Sequence, residues 1–356
     1  MGIFIYSAIL IIGFVLLIIG SDFLVDGAAS LARKFNVSNL VIGLTVVSIA
    51  TSFPELVVTI QSNLMGKGDL AVANIVGSNI SNILLILGIV AIIFKVRVRR
   101  NTVLTEIPIA ILASAVVYFL ANDFLANGLS LADKYLYLSR ADGVVLLAFF
   151  SVFLYYTYKL ALASNHGGRE AQVFEEDSLS MAGYIELFFK KYRKQKRVLT
   201  IGEVNAHSVK VSVILVVIGL AMLVGGGNFI VKSALSIADF FNIPSFIIGI
   251  TVVSIGTSLP ELATCITAFR KNKGDLAVGN IVGSNIFNTL FVLGITSTIA
   301  PLKFSLGFNF DMVVVFLSTT TLFGIVYFTK KHRLSSVAGM FFIWSYFLYI
   351  LFKVFI

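Results

Sequence analysis

The sequence predicts an all-α integral membrane protein whose ten transmembrane helices form two inverted five-helix repeats. Three observations carry this prediction: an apolar composition, ten long apolar runs and an internal repeat. Of the 356 residues, 58% are hydrophobic and only 13% are charged, whereas a soluble domain carries about 25% charged residues. The composition therefore excludes a water-soluble enzyme, a nucleic-acid reader and a disordered chain.

The apolar runs are long enough to be membrane spans, because a helix needs about 20 apolar residues to cross the hydrocarbon core. The first and sixth runs are too long for upright helices, which predicts tilted or extended spans. We expect no cleavable signal peptide, since the N-terminal run lacks a basic start and a cleavage site. The runs are 3–33, 38–64, 69–94, 103–121, 142–164, 210–238, 244–269, 275–299, 309–329 and 335–355.

The basic residues behind the net charge of +9 lie mostly in the connectors between the spans. Most Lys and Arg residues lie in alternate connectors, as expected of cytoplasmic loops under the positive-inside rule. This pattern predicts a multi-pass protein of the cell (inner) membrane with both termini outside. It also assigns the charge to topology rather than to nucleic-acid binding. The opposite set of connectors and span ends holds only Lys67, Lys134, Arg140, Lys232, Lys303 and Lys353.

The connector 165–209 divides the chain into a first repeat, 1–164, and a second repeat, 210–356. It carries an acidic cluster and the basic run KKYRKQKR at 190–197, and we interpret it as a solvated cytoplasmic linker. The single cysteine, Cys265, lies in an apolar run and is predicted to be a small buried side chain. The three histidines fall between the runs, so we expect no cofactor.

Residues 36–89 align without gaps with residues 242–295, and more than half of the aligned positions are identical. The copies occupy spans 2–3 and 7–8. They are five spans apart, an odd number, so they enter the membrane from opposite sides. Inverted repeats of this kind are typical of alternating-access transporters, whose substrate site lies near the midplane where the repeats meet.

Each copy contains the run T-S-x-P-E within its first span. Proline interrupts helical hydrogen bonding, and irregular backbone at membrane depth occurs where it is buried in protein or lines a cavity. A carboxylate there costs at least about 2.5 kcal/mol on insertion scales, so the glutamates indicate a site for cations or protons. Thr and Glu at i and i+4 share one helix face. The residues are Thr51, Ser52, Pro54 and Glu55, and Thr257, Ser258, Pro260 and Glu261.

The second span of each copy adds the motif GSNIxN, which contributes hydroxyl and amide oxygens suited to a hard cation. The alternative for these residues is interhelical hydrogen bonding. Asp69 and Asp275 begin these spans, where we expect helix capping and a favourable position in the helix dipole. The motif residues are Ser78, Asn79 and Asn82, and Ser284, Asn285 and Asn288.

The paired motifs GxTVVSIxTSxPEL and GDLAVxNIVGSNIxN resemble the two alpha repeats of the cation/calcium exchanger superfamily, specifically its prokaryotic sodium/calcium exchangers. The resemblance extends over essentially the whole chain. It implies ten helices in two inverted halves, with calcium and sodium sites side by side among the four motif helices.

The resemblance also implies a role for each matching residue. Glu55 and Glu261 would be shared by Ca²⁺ and Na⁺, and the carbonyls of Thr51 and Thr257 would join them at the calcium site. Asn82 and Asn288 stand where such exchangers often have one aspartate, which leaves two carboxylates to balance one Ca²⁺ or two Na⁺. The flanking sodium sites would be completed by Ser52, Ser258, Ser78 and Ser284 and by the carbonyls of Ser48 and Ser254.

The expected function is therefore secondary antiport, in which Ca²⁺ is exported in exchange for Na⁺ by alternating access. The partners of the chain are these ions and the lipid bilayer. A Ca²⁺/H⁺ antiporter that uses the same glutamates is the nearest alternative, and a cation channel is a further one. An intramembrane protease is disfavoured, because its apparent GD pairs lie at span ends.

Overall fold

The protein is almost entirely helical in the computed structural model, which describes residues 2–34, 52–94, 96–98, 100–122, 135–166, 208–270, 274–329 and 332–355. The helices in chain order are α1 (Gly2–Lys34), α2 (Phe53–Leu64), α3 (Gly68–Ile93), α4 (Thr102–Ala121), α5 (Arg140–His166), α6 (Val209–Phe241), α7 (Ser245–Thr257), α8 (Leu259–Arg270), α9 (274–299), α10 (Phe308–Phe328) and α11 (Ser336–Phe355). The strands are β1 (Val96–Arg97), β2 (Tyr135–Leu138), β3 (Leu302–Ser305) and β4 (Arg333–Leu334).

Eight of the described helices are long and apolar enough to cross a bilayer: α1, α3, α4, α5, α6, α9, α10 and α11. They coincide with eight of the ten predicted spans. The seventh predicted span, 244–269, is divided at Ser258 into α7 and α8. Only the part of the second that forms α2 is described, since residues 35–51 lie outside the described part of the chain. The structure thus confirms a helical protein with many membrane-capable helices, and the count of ten stays a prediction.

The two sequence repeats fold into matching elements. Helices α2 and α8 each have 12 residues and occupy aligned positions. Helices α3 and α9 each contain a six-residue π-helical segment, at Ser81–Ile86 and Phe287–Val292, between two α-helical parts. The inserted π turns shift the helix register at the same place in both copies. The local backbone therefore follows the repeat closely.

The two longest helices, α1 and α6, pack against each other along small residues. A Cβ atom added to Gly13 would lie 3.0 Å from the carbonyl oxygen of Gly226, and one added to Gly20 would lie 3.0 Å from that of Gly219. Residue numbers that increase along α1 thus face residue numbers that decrease along α6, so the two helices are antiparallel. Glycine permits this close approach of the two backbones. Both helices have 33 residues, which agrees with the long first and sixth runs.

Two small antiparallel sheets join connectors from opposite halves of the chain. Strand β1 pairs with β4, and β2 pairs with β3. The first sheet joins two connectors of the basic set, and the second joins two connectors of the opposite set. The alternation of connectors inferred from charge is therefore matched by which connectors meet in space.

Asp69 corrects one expectation. It lies in the first turn of α3, where its charge suits the helix dipole, but the N-cap residue is Lys67. The Asp69 carboxylate oxygen Oδ1 instead accepts hydrogen bonds from the backbone N–H and the hydroxyl of Ser305 in β3, both at 2.7 Å. A tertiary contact has replaced the expected cap. The side chain of Asp275 lies outside the described part of the structure.

We predict that Asp69→Ala lowers the thermal midpoint of the detergent-solubilised protein by about 3 °C or more, since it removes two charge-assisted hydrogen bonds. Asp69→Asn keeps one acceptor oxygen and serves as the matched control, with a smaller loss. Fluorescence-detected thermal unfolding measures both. A midpoint of Asp69→Ala equal to that of the wild type would show that the contact with Ser305 contributes nothing.

Candidate cation site

Both glutamates lie at helix N-termini inside the bundle. Helix α2 begins at Phe53 and α8 begins at Leu259, so Pro54 and Pro260 lie in their first turns. Proline is tolerated there, because the first helical N–H groups have no intrahelical acceptor. Glu55 and Glu261 follow directly in the same turns, where the helix dipole favours a negative charge. The predicted interruption near Pro260 is present in the backbone.

The two glutamates are bound by serines from the opposite sequence copy. The Ser258 hydroxyl donates to Glu55 Oε1 at 3.3 Å, and the Ser52 hydroxyl donates to Glu261 Oε1 at 3.4 Å. Ser284 donates to the same oxygen of Glu261 at 3.3 Å. Both glutamate side chains are at most 1% exposed. The two carboxylates are close enough to repel each other electrostatically.

Three further oxygens lack hydrogen-bond partners among the described residues. They are Glu55 Oε2, Asn82 Oδ1 and Asn288 Oδ1, and all three atoms are buried. Buried polar atoms are normally hydrogen-bonded. Unpaired carboxylate and amide oxygens are the ligands that a hard cation prefers. The residues present therefore fit a bound Na⁺ or Ca²⁺.

The remaining predicted residues surround this region where they are described. Ser78 donates to the Ser254 carbonyl at 3.3 Å and lies 3.4 Å from the Thr257 hydroxyl. Ser254 and Thr257 belong to the last part of α7, which follows the π-helical segment Gly249–Val253. Thr51 and Ser48, the partners of Thr257 and Ser254 in the first copy, lie outside the described residues.

Asn74 is a site residue that the sequence reasoning missed. Its Nδ2 donates to the Glu55 carbonyl at 3.3 Å and to the Thr59 hydroxyl at 3.0 Å, while its Oδ1 accepts from Thr257 at 3.2 Å. It thereby links the backbone of one glutamate to the broken helix of the other copy. Its identity in both repeats was the available signal, but repeat identity does not distinguish a hydrogen-bonding hub from a packing residue.

The second copy departs from this arrangement. Asn280 aligns with Asn74, and Cys265 aligns with Thr59. Cys265 is completely buried, as predicted. The Nδ2 of Asn280 has no hydrogen-bond partner among the described residues. A thiol is a weak acceptor compared with a hydroxyl, so the second copy has no hydroxyl at the position that Thr59 occupies in the first.

The site can offer oxygen ligands from carboxylates, amides, hydroxyls and carbonyls. No group of three or more His, Cys, Asp or Glu side chains that could hold a metal ion occurs in the part of the chain that the structure describes. A thiolate–imidazole transition-metal centre would use such a group. The donors present are oxygen atoms, which hard cations prefer.

Known proteins match this chain over nearly its whole length. The family model described as sodium/calcium exchanger protein matches residues 5–159 and 211–355. The inner membrane protein YrbG of Escherichia coli (strain K12) is 37% identical over 295 residues, which cover 83% of this chain and 80% of that protein. The sodium/calcium exchanger MaX1 of Methanosarcina acetivorans is 31% identical over 318 residues, which cover 83% of each chain.

A solved structure also matches. The sodium-calcium exchanger NCX_Mj, soaked with 10 mM Na⁺ and 10 mM Sr²⁺, is 28% identical, with a TM-score of 0.60 and 98% of each chain covered. The fold and the match to this family define a membrane exchanger. The chain belongs to the sodium/calcium exchanger protein family, as the paired motifs indicated.

We predict that Asn74→Leu destabilises the protein by about 3 kcal/mol, since three hydrogen bonds of about 1 kcal/mol each are lost. Asn280→Leu is the matched control and should cost less, because the residue that aligns with Thr59 in the second copy is Cys265, whose thiol is a weaker acceptor than a hydroxyl. Thermal unfolding of both variants in the same detergent measures the difference. Asn280→Leu proving as destabilising as Asn74→Leu would contradict this difference between the two copies.

Proposed function

We propose that this protein is a secondary active antiporter that exports Ca²⁺ from the cytoplasm in exchange for Na⁺ by alternating access. The single observation that carries this proposal is the reciprocal contact at the site. Ser258 binds Glu55, and Ser52 binds Glu261. Each carboxylate is thus held by the opposite copy, so a relative movement of the copies changes the ligands around both glutamates together.

The charge of the site explains the coupling. Two buried carboxylates are unfavourable in a low-dielectric interior without compensating charge. One Ca²⁺ or two Na⁺ balance them, so the ions compete for the same oxygens. Competition for one site, combined with access to one side at a time, makes the exit of one ion depend on the entry of the other.

The proposed ligands extend the residues already described. Glu55, Glu261 and the carbonyls of Thr51 and Thr257 bind Ca²⁺, with the amide oxygens of Asn82 and Asn288 beside them. The flanking Na⁺ ligands are the hydroxyls of Ser52, Ser258, Ser78 and Ser284 and the carbonyls of Ser48 and Ser254. The unpaired buried oxygens of Glu55, Asn82 and Asn288 support this assignment.

The proposed topology has ten spans in two inverted repeats, 1–164 and 210–356, joined by a cytoplasmic linker at 165–209. Both termini lie outside the cytoplasm. The sheet of β1 and β4 then marks the cytoplasmic end, and the sheet of β2 and β3 marks the outer end. The pairing of connectors within each charge set supports this orientation.

Helices α1 and α6 are the proposed moving element. They belong to an apolar cluster separate from the main core of the bundle. Helix α1 contacts the broken helix α7 through the ring of Phe14 at Gly256, and α6 contacts α2 through Gly227 at Val57. Sliding of this pair would therefore reach both α7 and α2, which border the site.

One observation favours Ca²⁺/H⁺ exchange as the second candidate. Asn82 and Asn288 are neutral amides, so Glu55 and Glu261 are the only acidic side chains among the proposed ligands. Two glutamates can carry two protons as readily as two Na⁺ in exchange for one Ca²⁺. The two candidates share every proposed ligand and differ in the driving ion.

We predict that Glu55→Gln and Glu261→Gln each abolish Ca²⁺ uptake into sodium-loaded inside-out vesicles, because the remaining carboxylate cannot balance Ca²⁺. Asp142→Asn is the matched control. Asp142 is also largely buried and binds Ser139 at the start of α5, outside the site. Its transport should stay within about twofold of the wild type. Wild-type uptake in either Gln variant would refute the site.

The driving ion is tested in proteoliposomes with Na⁺, H⁺ and voltage gradients imposed separately. We expect Ca²⁺ flux with the Na⁺ gradient alone, and insensitivity to voltage if two Na⁺ replace one Ca²⁺. Flux driven by a pH gradient without Na⁺ would instead establish proton exchange. Ca²⁺ flux that needs no counter-ion would identify a channel.

A further inference from the structure

Four asparagines from α3 and α9 form a hydrogen-bonded network between the two sequence copies. Asn82 Nδ2 donates to Asn285 Oδ1 at 2.9 Å, and Asn288 Nδ2 donates to Asn79 Oδ1 at 3.3 Å. All four side chains are at most 3% exposed. Asn82 and Asn288 are proposed ligands, whereas Asn79 and Asn285 have no assigned role. The network thus gives each ligand amide one partner in the opposite copy.

The orientation of Asn285 is fixed by a backbone contact. Its Nδ2 donates to the main-chain carbonyl of Asn79 at 3.1 Å. A carbonyl can only accept, so the nitrogen of the Asn285 amide must face it and the oxygen must face Asn82. Asn82 must then offer its own nitrogen. Its oxygen is left as the buried, unpartnered Oδ1.

The orientation of Asn79 rests on a weaker restraint. Its Nδ2 donates to the Thr289 hydroxyl at 2.8 Å, and a hydroxyl can both donate and accept. A half-turn of the Asn79 amide would therefore keep a hydrogen bond with Thr289. The first copy has Ile83 at the position of Thr289 and offers no equivalent.

We propose that Asn79 and Asn285 are positioning residues of the transport site. They hold the amide nitrogens of Asn288 and Asn82, so that the amide oxygens of these two residues face the transported cation. The proposal rests on the cation site described above. It further implies that position 288 tolerates a carboxylate, whereas position 82 does not.

Positions 82 and 288 differ in whether the neighbouring asparagine can turn to donate a hydrogen bond to an aspartate. An aspartate at position 82 would face Asn285 Oδ1, and a half-turn of Asn285 would only move that oxygen against the Asn79 carbonyl. An aspartate at position 288 would face Asn79 Oδ1, but Asn79 can turn, donate Nδ2 to the carboxylate and accept from Thr289. Only the second arrangement avoids opposed acceptors.

A double-mutant cycle tests the positioning role. Asn285→Leu alone should raise the KM for Ca²⁺ up to about tenfold, as for one lost orienting hydrogen bond, with little change in kcat. On the Asn82→Leu background the same change should have little further effect, because the amide to be oriented is gone. Additive losses would overturn the proposal. If Asn82→Leu transports too slowly, equilibrium ⁴⁵Ca²⁺ binding to the purified protein completes the cycle.

Asn309→Leu is the matched control. Asn309 and Asn122 form a reciprocal pair of amide hydrogen bonds, both at 2.8 Å, between α10 and the end of α4. This pair also bridges the two halves but lies outside the site. Its loss should leave the KM for Ca²⁺ unchanged. If Asn309→Leu raised the KM as much as Asn285→Leu does, the increase would reflect the loss of any interhelical amide hydrogen bond and not the positioning of Asn82.

Acidic substitutions provide a second test. Asn288→Asp should bind ⁴⁵Ca²⁺ at least as tightly as the wild type, while Asn82→Asp should bind at least about tenfold more weakly. Adding Thr289→Val to Asn288→Asp removes the hydroxyl donor to the turned Asn79 oxygen and should weaken binding relative to Asn288→Asp alone. Equal affinities for the two aspartate variants, or the reverse order, would overturn the proposal.

Measurements on the wild type distinguish failure of the proposed function from failure of the positioning role. Wild-type protein that neither binds nor transports Ca²⁺ would refute the proposed function itself. Wild-type transport with an additive cycle would refute the positioning role alone and leave the function standing.

Discussion

The burial of two carboxylates between two copies of one sequence motif is the constraint on which the rest of the structure depends. Glu55 and Glu261 are both almost fully buried in a bundle with many membrane-capable helices. Their charge must be met by helix N-termini, by hydroxyl donors and by a cation or protons. The first turns of α2 and α8 and the serine contacts between copies supply the first two of these.

The repeat explains how so few acidic side chains suffice. The two copies supply similar oxygen donors, so duplication yields a site without a dedicated loop. The symmetry is incomplete, however. Thr59 and Asn74 brace the first glutamate, while Cys265 and Asn280 occupy the matching places in the second copy.

Much of the fold could be predicted from the sequence, because hydropathy and repetition are strong signals over long segments. Eight predicted spans coincide with membrane-capable helices, and the helix break at Ser258 lies beside the proline that predicts it. The sheets were not predicted, since strands of two to four residues carry no periodicity. The contact of Asp69 with Ser305 was also missed, because a helix-start aspartate usually has a local role.

The glutamates and their hydroxyl neighbours were open to sequence reasoning because polar residues in an apolar run are conspicuous. The roles of Asn74, Asn79 and Asn285 could not be predicted from the sequence. Their motif positions were visible, but which amide faces which acceptor depends on the packing of helices from opposite halves. Hydrogen-bond direction is a property of the tertiary structure, and no spacing rule encodes it.

The two small sheets have a mechanical consequence. Each sheet joins a connector of the first half to a connector of the second, and the two sheets lie at opposite ends of the bundle. In the described part of the chain, neither sheet includes residues of α1 or α6, which pack against each other along their glycines. In the proposed mechanism the helices joined by the sheets stay fixed, and the α1–α6 pair slides beside them. Sliding of the pair would break apolar contacts and the 2.8 Å hydrogen bond from Gln61 Nε2 to the Val224 carbonyl of α6, but no strand pairing.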